Sequence, residues 1–439
     1  MKYKKLFIAF TAIITFLIAF SIFVMLWFWG DTYKSGQSYE GFTDFRKEIK
    51  IPGLKDGACP QGMTVYNASY EVKNENGEPV LNENGKPKTD TQNYFFISAY
   101  FKSKPSRIYV VAEKTGETGY VTLKNTDGSD YTGHCGGVAT NGPTLWVSSD
   151  NTVYVTRTNT TTSTDTSSSN SSPNIAVQII QKALYGEEGA DNSVTFTSSF
   201  NANCNASFLY YYQDPGVTTP NSSSNKLYVG EFYRAGNYET NEKHRLQTPN
   251  GDNNTAFAYE YNISNDNKYG LASDKSSYGV FDAEGNILVD SKDEKIGPPK
   301  IQKIFSITGE IQGFARTANG IVLSQSYGLK NSHILYYSFN WDNTKISENN
   351  RQTYKDAVDK NGLIYDGFYR AVGPEKKPYV STDNPYVYYI DSANQINDYS
   401  IPSMSEGLCT VEGRVYVLFE SGAYKYKTFV RQVLRNVYS

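Results

Sequence analysis

Over most of its length the chain alternates apolar and polar side chains at every second position, in short runs broken by Gly, Asn, Asp and Ser. Successive side chains of a strand point to opposite faces of a sheet, so this period predicts half-buried antiparallel strands. Tyr94-Phe95-Phe96-Ile97-Ser98, Leu145-Trp146-Val147-Ser148 and Val415-Tyr416-Val417-Leu418-Phe419 are typical runs. Asn319-Gly320 and Glu412-Gly413 supply hairpin turns. One stretch breaks the pattern: Leu6 to Trp29 carries no charge and follows Lys2, Lys4 and Lys5.

As a helix rising about 1.5 Å per residue, that stretch reaches about 36 Å, enough for a hydrocarbon core of about 30 Å. Trp27 and Trp29 sit at its far end, where amphipathic rings prefer the headgroup level. The Lys cluster marks the short end as cytoplasmic. The competing reading is a cleaved signal peptide, but apolar residues continue from Ile22 to Trp29 past the small-x-small match Ala19-Phe20-Ser21. The expectation is therefore a single-pass cell-membrane protein: an anchor at 1–30, a juxtamembrane linker at 31–49 and an extracytoplasmic domain at 50–439.

Within that domain a phrase recurs: a polar residue, a small one, an apolar pair, a turn, then a Tyr- or Val-rich strand. Its copies begin at Gln61-Gly62-Met63, Gly136-Gly137-Val138, Asn205-Ala206-Ser207, Gln312-Gly313-Phe314 and Glu406-Gly407-Leu408. A third strand follows each copy, at 107–111, 152–156, 256–261, 333–337 and 423–427, and some copies have a fourth, such as 120–123, 303–307 and 395–399. Units of three or four short strands repeating radially describe a single all-β propeller, with five blades expected and room for a sixth in 264–310. The small residues would then lie where inner strands crowd the axis; ordinary turn glycines would sit between strands instead. Insertions are expected at 157–190, 235–255, 264–300 and 342–385, with a short amphipathic helix at 175–184. The excursions at 235–255, 264–300 and 342–385 are where partner contact is expected, since loops on a rigid scaffold usually carry recognition.

The units resemble blades of the broad bacterial β-propeller superfamily with YVTN-type and WD-like repeats, over about residues 50–435. The resemblance rests on repeat rhythm and on phrases such as Pro105-Ser106-Arg107-Ile108-Tyr109-Val110 and Ser405-Glu406-Gly407. It implies fold far more than activity.

Composition narrows the chemistry. Aromatics make up 15% of the 439 residues, with 37 Tyr, as pleated half-buried surfaces favour. A formal net charge of -3 offers no global basic field, so nucleic acid is not an expected partner. The four cysteines sit near the small residue of four units. Cys135 with Cys204 and Cys59 with Cys409 are the candidate disulfides, buried thiols being the alternative. No Cys-x-x-Cys pair exists and His is scarce, so no metal or other cofactor is expected.

The expected axial ring is Gln61, His134, Asn205, Gln312 and Glu406, polar side chains converging from separate blades on one mouth. His134 and Glu406 are its acid/base candidates. Glu231 and Glu420 are further carboxylates for a glycosidase-type pair. No nucleophile elbow, zinc-protease helix or phosphate loop occurs in the sequence. The expected function is a binding or scaffold module for a surface protein or glycan, tethered to the membrane through its amino-terminal helix. The alternative is a hydrolase of glycans, lactones or esters at the axial mouth.

Overall fold

The computed structural model describes residues 48–158, 174–273, 299–341 and 386–420 apart from a few positions, with part of 11–21 and the strands Arg351–Thr353 and Asn436–Tyr438. The molecule is all-β and propeller-like. Each expected hairpin forms because one face of its strands buries the apolar set while the turn residues reverse the chain. At Glu412-Gly413 both residues adopt positive φ, 50° and 77°, between the paired Val411 and Arg414, the handedness a two-residue hairpin requires.

Four consecutive sheets are built as blades. The first orders Cys59–Glu71, Thr89–Tyr100, Arg107–Ala112 and Thr118–Lys124 from inside out, with Ser193–Thr195 added in parallel. The second orders Gly137–Thr140, Thr144–Ser149, Thr152–Arg157 and Ser198–Asn201. The third runs from Ala206–Tyr212 through Lys226–Glu231 and Ala256–Asn262 to Ile301–Ile307, and is widened by Tyr386–Tyr389 and Arg351–Thr353. The fourth comprises Ile311–Thr317, Gly320–Gln325, Ser332–Ser338 and Gln395–Ile401. A further sheet joins Ser405–Val411 and Arg414–Phe419 to strands from both ends of the described chain, Asn436–Tyr438 and Glu48–Lys50. Ile49 pairs with Val437 in antiparallel register, so the first and last strands of the propeller-like unit are stitched together in one sheet.

The apolar cores lie between successive sheets and follow one another around the ring. Phe96, Val110, Val138 and Val147 fill the layer between the first and second sheets. Trp146, Val153, Val229 and Tyr259 fill the next. A large cluster with Tyr228, Phe305, Phe314, Leu335 and Val417 joins the third, fourth and last sheets. Met63, Phe95, Cys409 and Leu418 close the circuit between the last sheet and the first. At about 25 cal/mol per Å² of apolar surface, burial of this kind is the main favourable contribution to the fold.

Helix Ile175–Tyr185 forms where an amphipathic segment was expected, its Asn174 side chain accepting from the Val177 amide at 3.1 Å. Its buried face, Ile175, Ala176, Ile179 and Ile180, packs into the layer between the first two sheets. The outer strand Ser198–Asn201 of the second sheet was not among the expected strands.

Several expectations fall partly or wholly outside the described residues, among them the linker at 31–49 and the insertions at 157–190, 264–300 and 342–385. The strand expected at 423–427 does, and the third strand of the last sheet is Asn436–Tyr438. The apolar runs of the expected sixth blade, 278–281 and 286–289, do as well, whereas Ile301–Ile307 belongs to the third sheet. Of the amino-terminal apolar run, residues 13–21 are helical, with Ile13, Phe16, Leu17, Ile18 and Phe20 exposed. Among the described residues no helix is long and apolar enough to cross a membrane.

Candidate functional site at the axial mouth

The inner strands meet through residues too small to hold them apart. A Cβ on Gly62 would lie 2.6 Å from the Val138 amide nitrogen and 2.7 Å from the Gly137 Cα. One on Gly137 would lie 2.3 Å from the Leu209 nitrogen. The same holds for Gly313 against the Glu406 carbonyl oxygen (2.6 Å) and for Gly407 against the Met63 nitrogen (2.7 Å). Backbone thus packs directly on backbone from sheet to sheet, which only glycine permits.

The third sheet solves the same problem differently. The small residue expected there was Ala206, but the strand carries an irregularity between Ala206 and Phe208, and Phe208 pairs with Gly230. The ring of Phe208 occupies the space a Gly230 side chain would need, with a would-be Cβ 1.9 Å from its Cζ. Phe208 also stacks on Phe314 of the fourth sheet, centroids 6.1 Å apart. The glycine has moved to the neighbouring strand, where a pattern sought along one strand does not find it.

Similar irregularities open the inner strands at Pro60/Met63, Ile311/Gly313 and Ser405/Leu408. A bulge re-aims the side chain it carries, and these three carry Gln61, Gln312 and Glu406. Buried serines bridge the sheets beside them. Ser98 Oγ donates to the Cys135 carbonyl oxygen at 2.9 Å, and Ser324 Oγ and Ser405 Oγ lie 2.7 Å apart.

Three of the five expected ring residues belong to one polar neighbourhood. Gln61 is buried and donates through Nε2 to the Pro60 carbonyl oxygen (2.8 Å) and to Cys59 Sγ (3.7 Å). Cys59 Sγ in turn donates to Glu420 Oε1 at 3.0 Å. Tyr100 stands over this group: burial, then Cys59, Glu420 and Glu406, hold its phenol above its ordinary value. His134 stacks on Tyr100 with ring centroids 4.4 Å apart and donates its backbone amide to Ser149 Oγ at 3.0 Å. His134 is exposed as a residue, yet the loss of water around its ring lowers its pKa below 6.5 against the opposing pull of Asp150 and Glu420.

Glu406 is only 5% exposed, and burial together with the charge of Glu420 raises its pKa well above 4.5. Asn205 and Gln312 do not join this group. Asn205 is exposed and its carbonyl oxygen accepts from Ser207 Oγ, and Gln312 is half-buried at its bulge.

Tyr100 was not among the expected site residues. It is the last residue of its strand, level with the Cys59 that opens the inner strand, and pairing register alone would have found it. Glu231, a candidate for a carboxylate pair, is committed elsewhere: its Oε1 meets His244 Nδ1 and the Phe257 amide nitrogen, both at 2.8 Å.

The cysteine pairing expected from the sequence is corrected. All four cysteines are buried and no disulfide joins them. Cys135 packs between the first and second sheets, Cys204 between the second and third, and Cys409 between the last and the first, while Cys59 turns to Glu420. Equivalent places in successive blades face different layers, so their sulfurs do not meet in disulfide geometry. Burial pushes the Cys135 thiol up to about 12 and raises Cys204 and Cys409 as well, which removes their thiolate reactivity. Among the described residues no group of three or more His, Cys, Asp and Glu is placed to hold a metal ion.

Two cavities of about 420 and 410 Å3 lie among other residues. One is bordered by Asn67, Gln92, Asn93 and Glu113, the other by Tyr70, Tyr94, Ile180 and Tyr185. Neither is lined by an expected ring residue. No protein-family model matches the chain, and no curated protein matches its sequence.

Proposed function

We propose that the chain is a membrane-tethered, extracytoplasmic propeller that serves as a binding or scaffold module for a surface protein or glycan. The ring is read as five blades of the YVTN-type and WD-like kind, with the composite sheet as the fifth and the apolar run 6–29 as the anchor. The observation that carries this reading is the exposed residue His134, its ring held against Tyr100 with centroids 4.4 Å apart, where the inner strands begin. It supplies fixed aromatic surface on a rigid support, which suits recognition.

The test has two arms. Full chain carrying a carboxyl-terminal tag should resist alkaline extraction from membranes while the tag is digested by protease added outside intact cells; a protected tag refutes the topology. Full chain incubated with a glycan array and with surface-exposed proteins should retain a partner without changing it; retention of neither refutes the binding role.

A second reading has one observation in its favour, the raised acid Glu406 beside Glu420. If the mouth is hydrolytic, the same glycans, or lactones and esters, are turned over and Glu406→Gln abolishes the turnover. No product from any of them eliminates this reading.

A further inference from the structure

Helix Ile175–Tyr185 covers the first sheet without filling the space beneath it. Strands Cys59–Glu71 and Thr89–Tyr100 stay paired as far as Glu71 and Thr89, whereas the next strand, Arg107–Ala112, ends level with Tyr94. The hairpin therefore outruns the sheet, and its protruding part has no third strand beside it. A cavity of about 410 Å3 lies there, between hairpin and helix. Ala68, Tyr70 and Tyr94 border it from the hairpin, and Val177, Ile180 and Tyr185 from the helix.

Such a space persists only if the helix is kept from settling into it. The start of the helix is tied to the hairpin, Asn174 Nδ2 donating to Tyr66 Oη at 2.6 Å. Further along, Lys182 Nζ donates to the Ser193 carbonyl oxygen at 2.7 Å, and the Ala183 carbonyl oxygen occupies the space a Gly119 side chain would need. The last residue, Tyr185, donates through Oη to Glu117 Oε2 at 3.1 Å. On the other wall Tyr94 Oη accepts from Gln92 Nε2 at 3.1 Å, and Gln92 Oε1 accepts from the Lys114 amide at 2.9 Å. Both rings are thus held by their hydroxyls before a ligand arrives, which lowers the ordering cost of binding.

The lining defines the occupant by chemistry. Tyrosine rings and aliphatic side chains supply apolar surface, and Tyr185 keeps 39% of its area exposed, so the rings are reached from solvent. Ser69, Thr89 and Gln181, all exposed, add two hydroxyls and a carboxamide to the same cavity. Among the described residues Glu71 is the only charged side chain that lines it. With no cation there, a carboxylate or phosphate would lose water without gaining a partner. A quaternary ammonium could use the rings and Glu71 but would leave the hydroxyls and the carboxamide idle. A neutral pyranose uses both sets, its CH face on a ring and its edge hydroxyls on the polar side chains. We propose that this cavity binds a neutral sugar residue of a glycan, with Tyr185 as its stacking platform and Gln181 as a hydrogen-bond partner. The proposal deepens the glycan side of the binding-module reading and rests on it for its biological setting.

The experiment titrates the full chain with cellobiose, maltose, lactose and chitobiose, followed by saturation-transfer NMR of the sugar protons. A polyoxyethylene detergent keeps the sample free of competing sugar and ammonium groups. At least one disaccharide should saturate on the order of 1 mM, as a weak sugar contact allows. D-glucuronate and choline should bind about ten times more weakly or worse. Tyr185→Ala should weaken the disaccharide about fivefold or more, and Tyr185→Phe, which keeps the ring, should stay within about twofold. Gln181→Ala, at an exposed helical position where Ala is well tolerated, is the variant that spares the fold; it should weaken binding about threefold. Glu71→Gln should leave the neutral sugar within about twofold, whereas a cationic ligand would be lost. Absence of saturation by every disaccharide, equal affinity for choline or glucuronate, or unchanged affinity in either Tyr185→Ala or Gln181→Ala overturns the proposal. Array capture of glycans that survives Tyr185→Ala would sink this site and leave the module reading standing. Disaccharide binding lost in Tyr185→Ala, in a chain whose tag is protected from outside protease, would do the reverse.

Discussion

Replacing Gly137 by Ala tests the contact on which the ring depends. The added Cβ would stand 2.3 Å from the Leu209 nitrogen, 2.7 Å from the Phe208 carbonyl carbon and 2.8 Å from Ser148 Oγ. Two of these three atoms are backbone, so relief requires the second and third sheets to separate rather than a side chain to rotate. Overpacking costs about 1–3 kcal/mol in a well-packed core. A clash with backbone belongs at the upper end, and about 3 kcal/mol lowers the folded-to-unfolded ratio more than a hundredfold. With a denaturant dependence of about 3 kcal/mol per molar urea, the unfolding midpoint should fall by about 1 M. Gly216→Ala is the matched control, because its Cβ would meet only Asp214 Oδ1 at 3.4 Å. Urea titrations of both variants, read by tryptophan emission and by circular dichroism, give the comparison. Equal midpoints for the two variants would refute backbone-on-backbone packing at Gly137.

The remaining predictions concern the third sheet and the mouth. Gly230→Ala should destabilise the wild-type background but much less a Phe208→Leu background, with a coupling of about 1 kcal/mol or more by urea titration, because the two positions share one space; additive effects would show that they do not. Glu406 holds its proton more tightly folded than unfolded, so its contribution is fully present below about pH 4.5 and is lost as pH rises toward its raised folded value. Glu406→Gln, which keeps the shape without the charge, should therefore flatten the decline in stability between pH 5 and 8 and be the more stable form at pH 8. An unaltered pH profile would mean that the carboxyl is solvated.

Much of this architecture is legible in the alternation of side chains, because a strand with one face in a core must repeat every two residues. The inner strands of all five sheets and their partners fall where that period puts them, Gly320–Gln325 against Ile311–Thr317 being one example. The glycines at 62, 137, 313 and 407 were also readable as places of close approach, since each stands at the same point of the recurring phrase. What one strand cannot disclose is what its neighbour contributes. Phe208 is tolerated at a crowded place because Gly230 stands beside it, and that compensation spans two strands. The cysteines show the same limit: equivalent positions in the repeat face different inter-sheet layers, so matching spacing did not imply matching sulfurs. Of the candidate site, Gln61, His134 and Glu406 came from the repeat, whereas Tyr100 needed the register of the adjoining strand.

Closure of the ring by the two chain ends is the most direct thing to measure. Lys50 and Asn436 are register partners in the composite sheet. Paired antiparallel residues have Cα atoms about 4.5–5.5 Å apart, within the span a disulfide accepts. A Lys50→Cys, Asn436→Cys double variant, oxidised under mild conditions and run on a non-reducing gel, should form one intramolecular cross-link in most molecules and migrate as a compact species that dithiothreitol reverses. Chains that stay open under conditions in which both new thiols react with a maleimide would contradict closure, and with it the ring.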